Sequence, residues 1–187
     1  GGDPVLVRWS HCGLHNVENA LAAMAAAHHV GVLPRVSAEA LAEFRGVKRR
    51  LELLGKVAGV AVYDDFAHHP TAIATTLQGL RARGGGGRLI ALIEPRSNTM
   101  RMGEHRARLA ESTRDADRVY WFQPEGMDWS LQDVVDKSSV ATLASDIDEL
   151  VAEVISEVQT GDQVVIMSNG SFGGIHDKIL AAMEVMA

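Results

Sequence analysis

Three short segments hold most of the residues in this sequence that could do chemistry. The first, residues 64–70, places two carboxylates and two imidazoles close together, those of Asp64, Asp65, His68 and His69. This set could bind a metal, transfer protons, or hold a ribose and base. The same residues would also suit a plain turn in which an aspartate caps the next helix. Both interpretations stay open at this point.

The second segment, residues 94–100, surrounds one arginine with hydroxyl and amide side chains. Arg96 is followed directly by Ser97, Asn98 and Thr99. A guanidinium in this setting can hold a substrate carboxylate through two parallel hydrogen bonds. A surface ion pair is the alternative interpretation.

The third segment, residues 168–174, is rich in glycine and precedes a predicted helix. It includes Ser168, Asn169, Gly170 and Gly173. Backbone N–H groups and the helix dipole at such a position favour an anion. A glycine-rich turn without any ligand has the same composition, so the segment indicates a site only together with the other two.

One further group, near the start of the sequence, could bind zinc. His11, Cys12 and His15 are of the right types, but their spacing is irregular and a fourth ligand is missing, so we favour local packing for Cys12. Cys12 is the only cysteine and cannot form an internal disulfide. We therefore expect a reducing compartment, with the cytoplasm as the default.

The elements that must position these segments alternate between apolar strands and amphipathic helices from Gly59 onward. The predicted strands are 60–64, 89–93, 118–122 and 163–167, and the predicted helices are 71–83, 104–114, 145–159 and 175–186. This alternation predicts an α/β fold with a mostly parallel sheet and helices on both faces. Ligands of such sheets bind beyond the carboxyl ends of the strands, where the three segments fall.

The remaining predicted elements precede or flank this sheet. Residues 51–57 are predicted to pair antiparallel with the first strand and to cover its edge, while the structure of residues 128–143 is left open. Before them we predict a short strand at 4–9 and two helices, 16–29 and 37–44, the second capped by Ser37.

Composition excludes several classes of function. The formal net charge of -6 and the pI near 5.7 argue against a general nucleic-acid surface, which requires clustered cations. No apolar run approaches the roughly 20 residues needed to span a bilayer. With 47% apolar residues the chain can form a core. We expect a soluble globular protein without a nucleic-acid or membrane partner.

Three motifs, taken in order, resemble the signature of the Mur ligases. They are GLHNVENALAA at 13–23, FRGVKRRLE at 44–52 and DDFAHHPT at 64–71. The resemblance covers essentially the whole chain. It implies that residues 1–33 are the helical end of a central ATPase domain and that residues 34–187 form the Rossmann-like C-terminal domain of the family.

The resemblance also implies an activity and a set of ATP contacts. Members of the family use ATP and Mg²⁺ to phosphorylate a carboxylate, which an amine then attacks. Matching positions imply that His15 and Asn19 lie near the adenine, Arg50 or Arg49 near the phosphates, and Asp65 with His68 near the adenosine. The full set of expected ATP contacts is His15, Asn16, Asn19, Arg49, Arg50, Asp64, Asp65, His68 and His69.

Within the family, segments 94–100 and 167–174 resemble the branch that couples UDP-N-acetylmuramate to the tripeptide L-alanyl-γ-D-glutamyl-meso-diaminopimelate in peptidoglycan recycling. This resemblance implies that the tripeptide is bound by Arg96, Ser97, Asn98, Thr99, Ser168, Asn169, Gly170 and Gly173. The branch that adds L-alanine carries an aromatic-Gln-Pro-His-Arg run where Glu94 to Arg96 stand here. That branch, a ligase for glutamate or another amino acid, and a non-catalytic module that binds cell-wall peptides are the alternatives.

One expected element of an ATPase does not occur in the sequence. There is no Gly-x-x-x-x-Gly-Lys-Ser/Thr loop, which the family carries earlier in its central domain. We expect that loop, the Mg²⁺ ligands and the domain for the UDP-sugar upstream of Gly1. We therefore expect a fragment of a monomeric enzyme that is inactive by itself.

Overall fold

The computed structural model describes residues 4–9, 11 and 13–186, which form two compact units, Gly1–Val47 and Lys48–Ala187. Each unit is described by itself below. This division follows the spatial contacts of the chain. The predicted boundary after residue 33 concerns the domains of the family and stays a prediction.

The first unit contains two helices, α1 (Leu14–His29) and α2 (Pro34–Glu43). The start predicted for α2 was wrong, because Pro34 occupies its first turn with a preset φ and Leu33 is the capping residue. Ser37 is buried within this helix instead. The predicted strand at 4–9 was also wrong: these residues form no strand, and a strand needs a paired neighbour, which the described part of this unit does not supply.

The second unit contains a six-stranded sheet, six helices and one 3₁₀ turn. Its strands are β1 (Glu52–Val57), β2 (Val60–Asp65), β3 (Leu89–Glu94), β4 (Arg118–Phe122), β5 (Ala141–Ala144) and β6 (Gln163–Ser168). Its helices are α3 (Pro70–Arg83), α4 (Asn98–Arg101), α5 (Arg106–Ser112), α6 (Gln132–Val135), α7 (Ile147–Glu157) and α8 (Ile175–Met186), and the 3₁₀ turn is Phe172–Gly174.

The strand order is β1-β2-β6-β3-β4-β5, and every pairing is parallel except that of β1 with β2. The predicted mostly parallel sheet with an antiparallel edge is therefore confirmed. Strand β6, the last in sequence, lies between β2 and β3. This placement puts the third polar segment between the first two.

Helices cover both faces of the sheet, as predicted. Tyr63 and Trp121 pack on one face with α3 and α5, while Leu92 and Tyr120 pack on the other face with α7 and α8. All six residues of β3 are buried, as is typical of a central parallel strand.

The helix predicted at 104–114 is present as α5, which is two residues shorter at each end. A further short helix, α4, precedes it, and Gly103 between the two helices has a left-handed φ of 75° that keeps them from forming one continuous helix. Asn98 and Thr99, predicted in a loop, therefore lie in α4. The part of the chain that the structure describes contains no helix long and apolar enough to cross a membrane.

Asp162 joins three backbone segments at the amino ends of the strands. Its carboxylate accepts hydrogen bonds from the backbone N–H of Arg88 (3.0 Å) and Gln159 (2.9 Å), and from the Arg88 guanidinium (2.6 Å to Nη2). Burial alone would raise the pKa of Asp162, but the hydrogen bonds and charge of Arg88 outweigh it and lower the pKa below the ordinary value. The ionised carboxylate therefore stabilises the fold.

Asp162→Asn is expected to lower the free energy of unfolding by about 2–3 kcal/mol at neutral pH, since a charged acceptor is lost from a buried network. The folded-state pKa of Asp162 is lowered, so its contribution is complete above the unfolded pKa of about 4 and is lost as the pH falls through the folded value. Urea denaturation across a pH series, with the exposed Glu184→Gln as control, measures this. A deficit of unchanged size at pH 2 would contradict the assignment.

Candidate functional site

Parallel pairing brings the three polar segments to one edge of the sheet. Asp65 at the end of β2 is level with Met167 of β6, and Glu94 at the end of β3 is level with Ser168. The carboxyl ends of β2, β6 and β3 are thus neighbours. The predicted site residues that follow these strands lie along this edge, which we call the carboxyl edge.

Asp64 is held by two basic side chains. It accepts a hydrogen bond from Nε of Arg49 at 3.2 Å, and its other oxygen lies 3.1 Å from Nε2 of His176. Burial acts to raise the pKa of Asp64, but the hydrogen bond and charge of His176, together with Arg49, outweigh burial and lower it. Asp64 is therefore ionised and paired.

The Arg49 side chain connects the ends of β2 and β6. Besides its bond to Asp64, its Nη2 donates to the backbone carbonyls of Ser168 (2.7 Å) and Gly170 (2.8 Å). The guanidinium also lies 5.3 Å from the centroid of the Phe66 ring. Its side chain is about one quarter exposed, at 26%. Arg50, in contrast, is exposed, and its guanidinium lies 5.6 Å from the centroid of the same Phe66 ring.

Asp65 is buried and accepts hydrogen bonds from two backbone segments. Its carboxylate accepts from the N–H groups of Leu51 and Ala67, both at 2.7 Å, and from the hydroxyl of Thr76 at 3.3 Å. Burial raises the pKa of Asp65, and the two backbone hydrogen bonds partly offset the rise. In this structure Asp65 fixes the loop after β2 against the segment before β1.

The two histidines of the first segment have different local roles. His68 contacts the carbonyl oxygen of Phe66 through Nδ1 at 2.9 Å. His69, rather than an aspartate, caps α3, where its Nδ1 accepts from the N–H of Thr71 at 3.3 Å. Its ring lies 4.4 Å from that of His105. Desolvation, followed by the charge of His105, lowers the pKa of His69.

A buried hydrogen bond joins the second and third segments. The Ser168 hydroxyl donates to Glu94 at 2.6 Å and accepts from the N–H of Gly170 at 2.9 Å. Glu94 and Ser168 are 5% and 0% exposed, so this pair is shielded from water. Next to it, Oδ1 of Asn169 is buried and has no hydrogen-bond partner within the described part of the chain.

Arg96 is exposed and lies across Gly170. A Cβ added to Gly170 would come within 2.5 Å of Nη1 and 2.8 Å of Cδ of Arg96, so the absence of a side chain there makes room for the guanidinium. The hydroxyls of Ser97 and Thr99 are 3.3 Å apart. Gly173 lies further along, with a left-handed φ of 56°, where a Cβ would overlap Ile147.

The other predicted ATP contacts belong to the first unit. His15, Asn16 and Asn19 all lie in α1, and Asn19 is exposed. The His15 ring packs against Gly13, and its Nδ1 is buried without a hydrogen-bond partner among the described residues. Since one member of the proposed zinc group, Cys12, lies outside the described residues, that hypothesis is not tested. Within residues 4–9, 11 and 13–186, no three metal-binding side chains converge.

Two residues that the structure places at the carboxyl edge were not among the predicted site residues. His176 lies in the first turn of α8, and its contact with Asp64 spans 112 positions of sequence. Glu94 closes β3 and was not assigned a role. Their positions in the sequence could have indicated them. A polar residue that ends a buried parallel strand, or that begins the helix following such a strand, lies at the carboxyl edge.

Together these features define a doubly wound α/β domain with its polar residues collected at the carboxyl edge. The family model for the Mur ligase glutamate ligase domain matches residues 49–170. The chain therefore belongs to the Mur ligase family.

Similar proteins include two curated ligases whose names specify UDP-N-acetylmuramate and L-alanyl-γ-D-glutamyl-meso-2,6-diaminoheptandioate. The Escherichia coli K12 protein is 50% identical over 183 residues, and the Haemophilus influenzae protein is 46% identical over 181. These alignments cover 97% and 96% of this chain, but the chain spans only 40% of each relative. A murein peptide ligase structure from Psychrobacter arcticus is 46% identical, with a TM-score of 0.73, over 96% of this chain and 39% of its own.

Ser168→Ala is expected to lower the free energy of unfolding by about 1–3 kcal/mol, because it leaves the buried Glu94 carboxylate without the hydroxyl that donates to it. Glu94→Gln keeps an acceptor for Ser168 and is expected to cost less. Urea denaturation measures both, with the exposed Ser171→Ala as a matched control. A Ser168→Ala protein as stable as this control would show that the buried bond contributes nothing.

Proposed function

We propose that this chain is the C-terminal part of an ATP-dependent ligase that joins UDP-N-acetylmuramate to L-alanyl-γ-D-glutamyl-meso-diaminopimelate. The observation that carries the proposal is the exposed guanidinium of Arg96, which lies across Gly170, together with the adjacent residue Asn169, whose buried Oδ1 has no hydrogen-bond partner among the described residues. A cation and an amide acceptor contributed by the facing loops after β3 and β6 suit an amino-acid end group, which bears a carboxylate and an ammonium. The names of the two similar curated ligases support the same substrates.

The proposed reaction has two steps. The muramoyl carboxylate attacks the γ-phosphorus of ATP, which forms an acyl phosphate and releases ADP. The amine of the peptide's L-alanine then attacks the acyl carbon, the C–N bond forms, and phosphate leaves with the electrons of the C–O bond while the amine loses a proton. The contribution of this chain is to hold the peptide so that its amine meets the acyl phosphate, and positioning of this kind is a large part of what such an attack requires.

On the peptide side, we assign the carboxylate to Arg96 and the ammonium to Asn169. Ser97, Asn98 and Thr99 lie at the start of α4, next to Arg96 in sequence, and can hydrogen-bond the peptide backbone. Ser168, Gly170 and Gly173 shape the facing loop. These roles rest on the local geometry of the second unit alone.

On the nucleotide side, the proposed ATP contacts are those carried by the family motifs. They are His15, Asn16 and Asn19 in the first unit, and Arg50, Asp64, Asp65, His68 and His69 in the second, with Arg49 as the alternative to Arg50. Mg²⁺ accompanies ATP in this proposal, and we assign none of the described residues to it. Because ATP and a nucleotide sugar are substrates, we propose a cytoplasmic enzyme. We also propose a monomer, because the reaction requires only one copy of the protein.

The direct test is phosphate release by the full-length protein with ATP, Mg²⁺ and UDP-N-acetylmuramate. Release driven by the tripeptide and not by free L-alanine is the expected result. Release driven only by L-alanine would instead make the protein a UDP-N-acetylmuramate:L-alanine ligase. If the peptide binds but no acceptor drives release, the protein is a non-catalytic binding module.

Arg96→Ala in the full-length protein is expected to raise the KM for the tripeptide about 10- to 100-fold, because a charged hydrogen-bonding group worth about 1.5–3 kcal/mol is removed. The KM for ATP is expected to stay within about twofold, because the substitution removes a contact to the peptide and none to ATP. Initial-rate measurements with each substrate varied in turn give both constants.

Gly170→Ala provides a second variant that leaves Arg96 in the sequence. The added Cβ displaces the flexible Arg96 side chain, so we expect a tripeptide KM several-fold higher, in the range of about 3- to 10-fold, with an unchanged unfolding transition. Equal tripeptide KM values for Arg96→Ala, Gly170→Ala and the unaltered protein would remove Arg96 from the peptide site.

A further inference from the structure

The family motif carries two adjacent arginines, and the sequence alone leaves open which of them faces the phosphates. The structure separates them sharply. Arg50 is exposed, whereas the Arg49 side chain is only 26% exposed and donates to three protein acceptors. These three bonds use the Nε hydrogen and both Nη2 hydrogens of Arg49, so only the two hydrogens of Nη1 are left for a phosphate.

The three acceptors of Arg49 belong to two different segments. One is the carboxylate of Asp64, the residue before the last of β2, in the nucleotide-side segment. The other two are the carbonyls of Ser168 and Gly170, which flank Asn169 in the peptide-side loop. The guanidinium therefore ties the 168–170 loop after β6 to the end of β2.

Two further contacts fix this bridge. His176, from α8, holds the second oxygen of Asp64 at 3.1 Å, so Asp64 cannot turn away from Arg49. The backbone of Arg49 itself is anchored, since its N–H donates to Glu52 at 2.8 Å and its carbonyl accepts from the N–H of Phe66 at 2.9 Å. Its φ of 59° is a conformation that a non-glycine residue keeps only when its surroundings hold it.

We infer that Arg49, supported by Asp64 and His176, is a positioning residue for the acceptor peptide and not a phosphate ligand: it holds the 168–170 loop in the form in which Arg96 can lie across Gly170. This inference rests on the proposed function, because it concerns the same peptide site. Arg50 is then the phosphate-facing arginine of the pair. The conformation of the 168–170 loop then depends on Arg49, which belongs to the 44–52 motif that is otherwise expected to bind ATP.

The test compares single variants of the full-length ligase. Arg49→Ala is expected to raise the KM for the tripeptide about 10-fold or more and to leave the KM for ATP within about twofold, since three hydrogen bonds to the loops are lost and none to ATP. Arg50→Ala is expected to do the reverse. Lys48→Ala, which removes the exposed neighbouring cation, is expected to change neither constant.

Conservative variants separate positioning from simple loss of structure. Arg49→Lys keeps the charge but lacks the planar fork that reaches Asp64 and both carbonyls, so it is expected to behave like Arg49→Ala. His176→Gln retains a donor for Asp64 and is expected to keep a near-normal tripeptide KM, whereas His176→Ala is expected to raise it several-fold, about 3- to 10-fold.

Hydrogen exchange provides a readout that does not depend on activity. In the full-length protein, amides of residues 167–174 are expected to exchange faster in Arg49→Lys than in Lys48→Ala. If the unaltered enzyme releases no phosphate with the tripeptide, the proposed function fails, and this exchange comparison still decides the positioning role. An ATP KM raised by Arg49→Lys as much as by Arg50→Ala, or exchange at 167–174 equal to that of Lys48→Ala, would overturn the inference.

Discussion

The guanidinium of Arg49 compensates an otherwise unfavourable arrangement at the carboxyl edge. Parallel pairing of β2 with β6 directs the Asp64 carboxylate and the carbonyls of Ser168 and Gly170 toward the same space. Three acceptors facing one another repel, and a single planar cation satisfies all of them. The strained φ values of Arg49 and Leu51 persist because Glu52 and Asp65 accept the N–H groups of these residues.

The polar side chains at the carboxyl edge fall into two groups: those that hydrogen-bond within the protein, as Arg49 and Asp64 do, and those that could bind a ligand. The carboxylates of Asp64 and Asp65 accept hydrogen bonds from the protein, and Glu94 accepts one from Ser168. The exposed Arg96 stands apart from that network, and Oδ1 of Asn169 is buried without a hydrogen-bond partner among the residues that the structure describes. A negative carboxylate and a positive ammonium would match them, so we propose that the amino-acid end of the peptide binds between the loops after β3 and β6.

The regular elements of the sheet could be predicted because apolar runs and amphipathic helices alternate clearly, and even the antiparallel edge strand β1 was found. The position of β6 between β2 and β3 could not, because strand order depends on packing that no local pattern encodes. Local backbone chemistry also shifted two predicted helix starts: Pro34 starts α2 ahead of Ser37, and the helix predicted from residue 104 begins at Arg106, after the left-handed Gly103. The residues along the carboxyl edge were largely identified from position and motif, whereas the contact of His176 with Asp64 is non-local and only a structure reveals it.

We propose that the loops after β3 and β6 form one site for the end of a peptide. A crystal structure of the full-length protein with ADP and the tripeptide tests it most directly. We expect a peptide carboxylate within hydrogen-bond distance of Arg96, the ammonium at Asn169, and Arg49 still bound to Ser168 and Gly170. A peptide bound away from this edge, or Arg49 turned from the loop onto the nucleotide's phosphates, would contradict it.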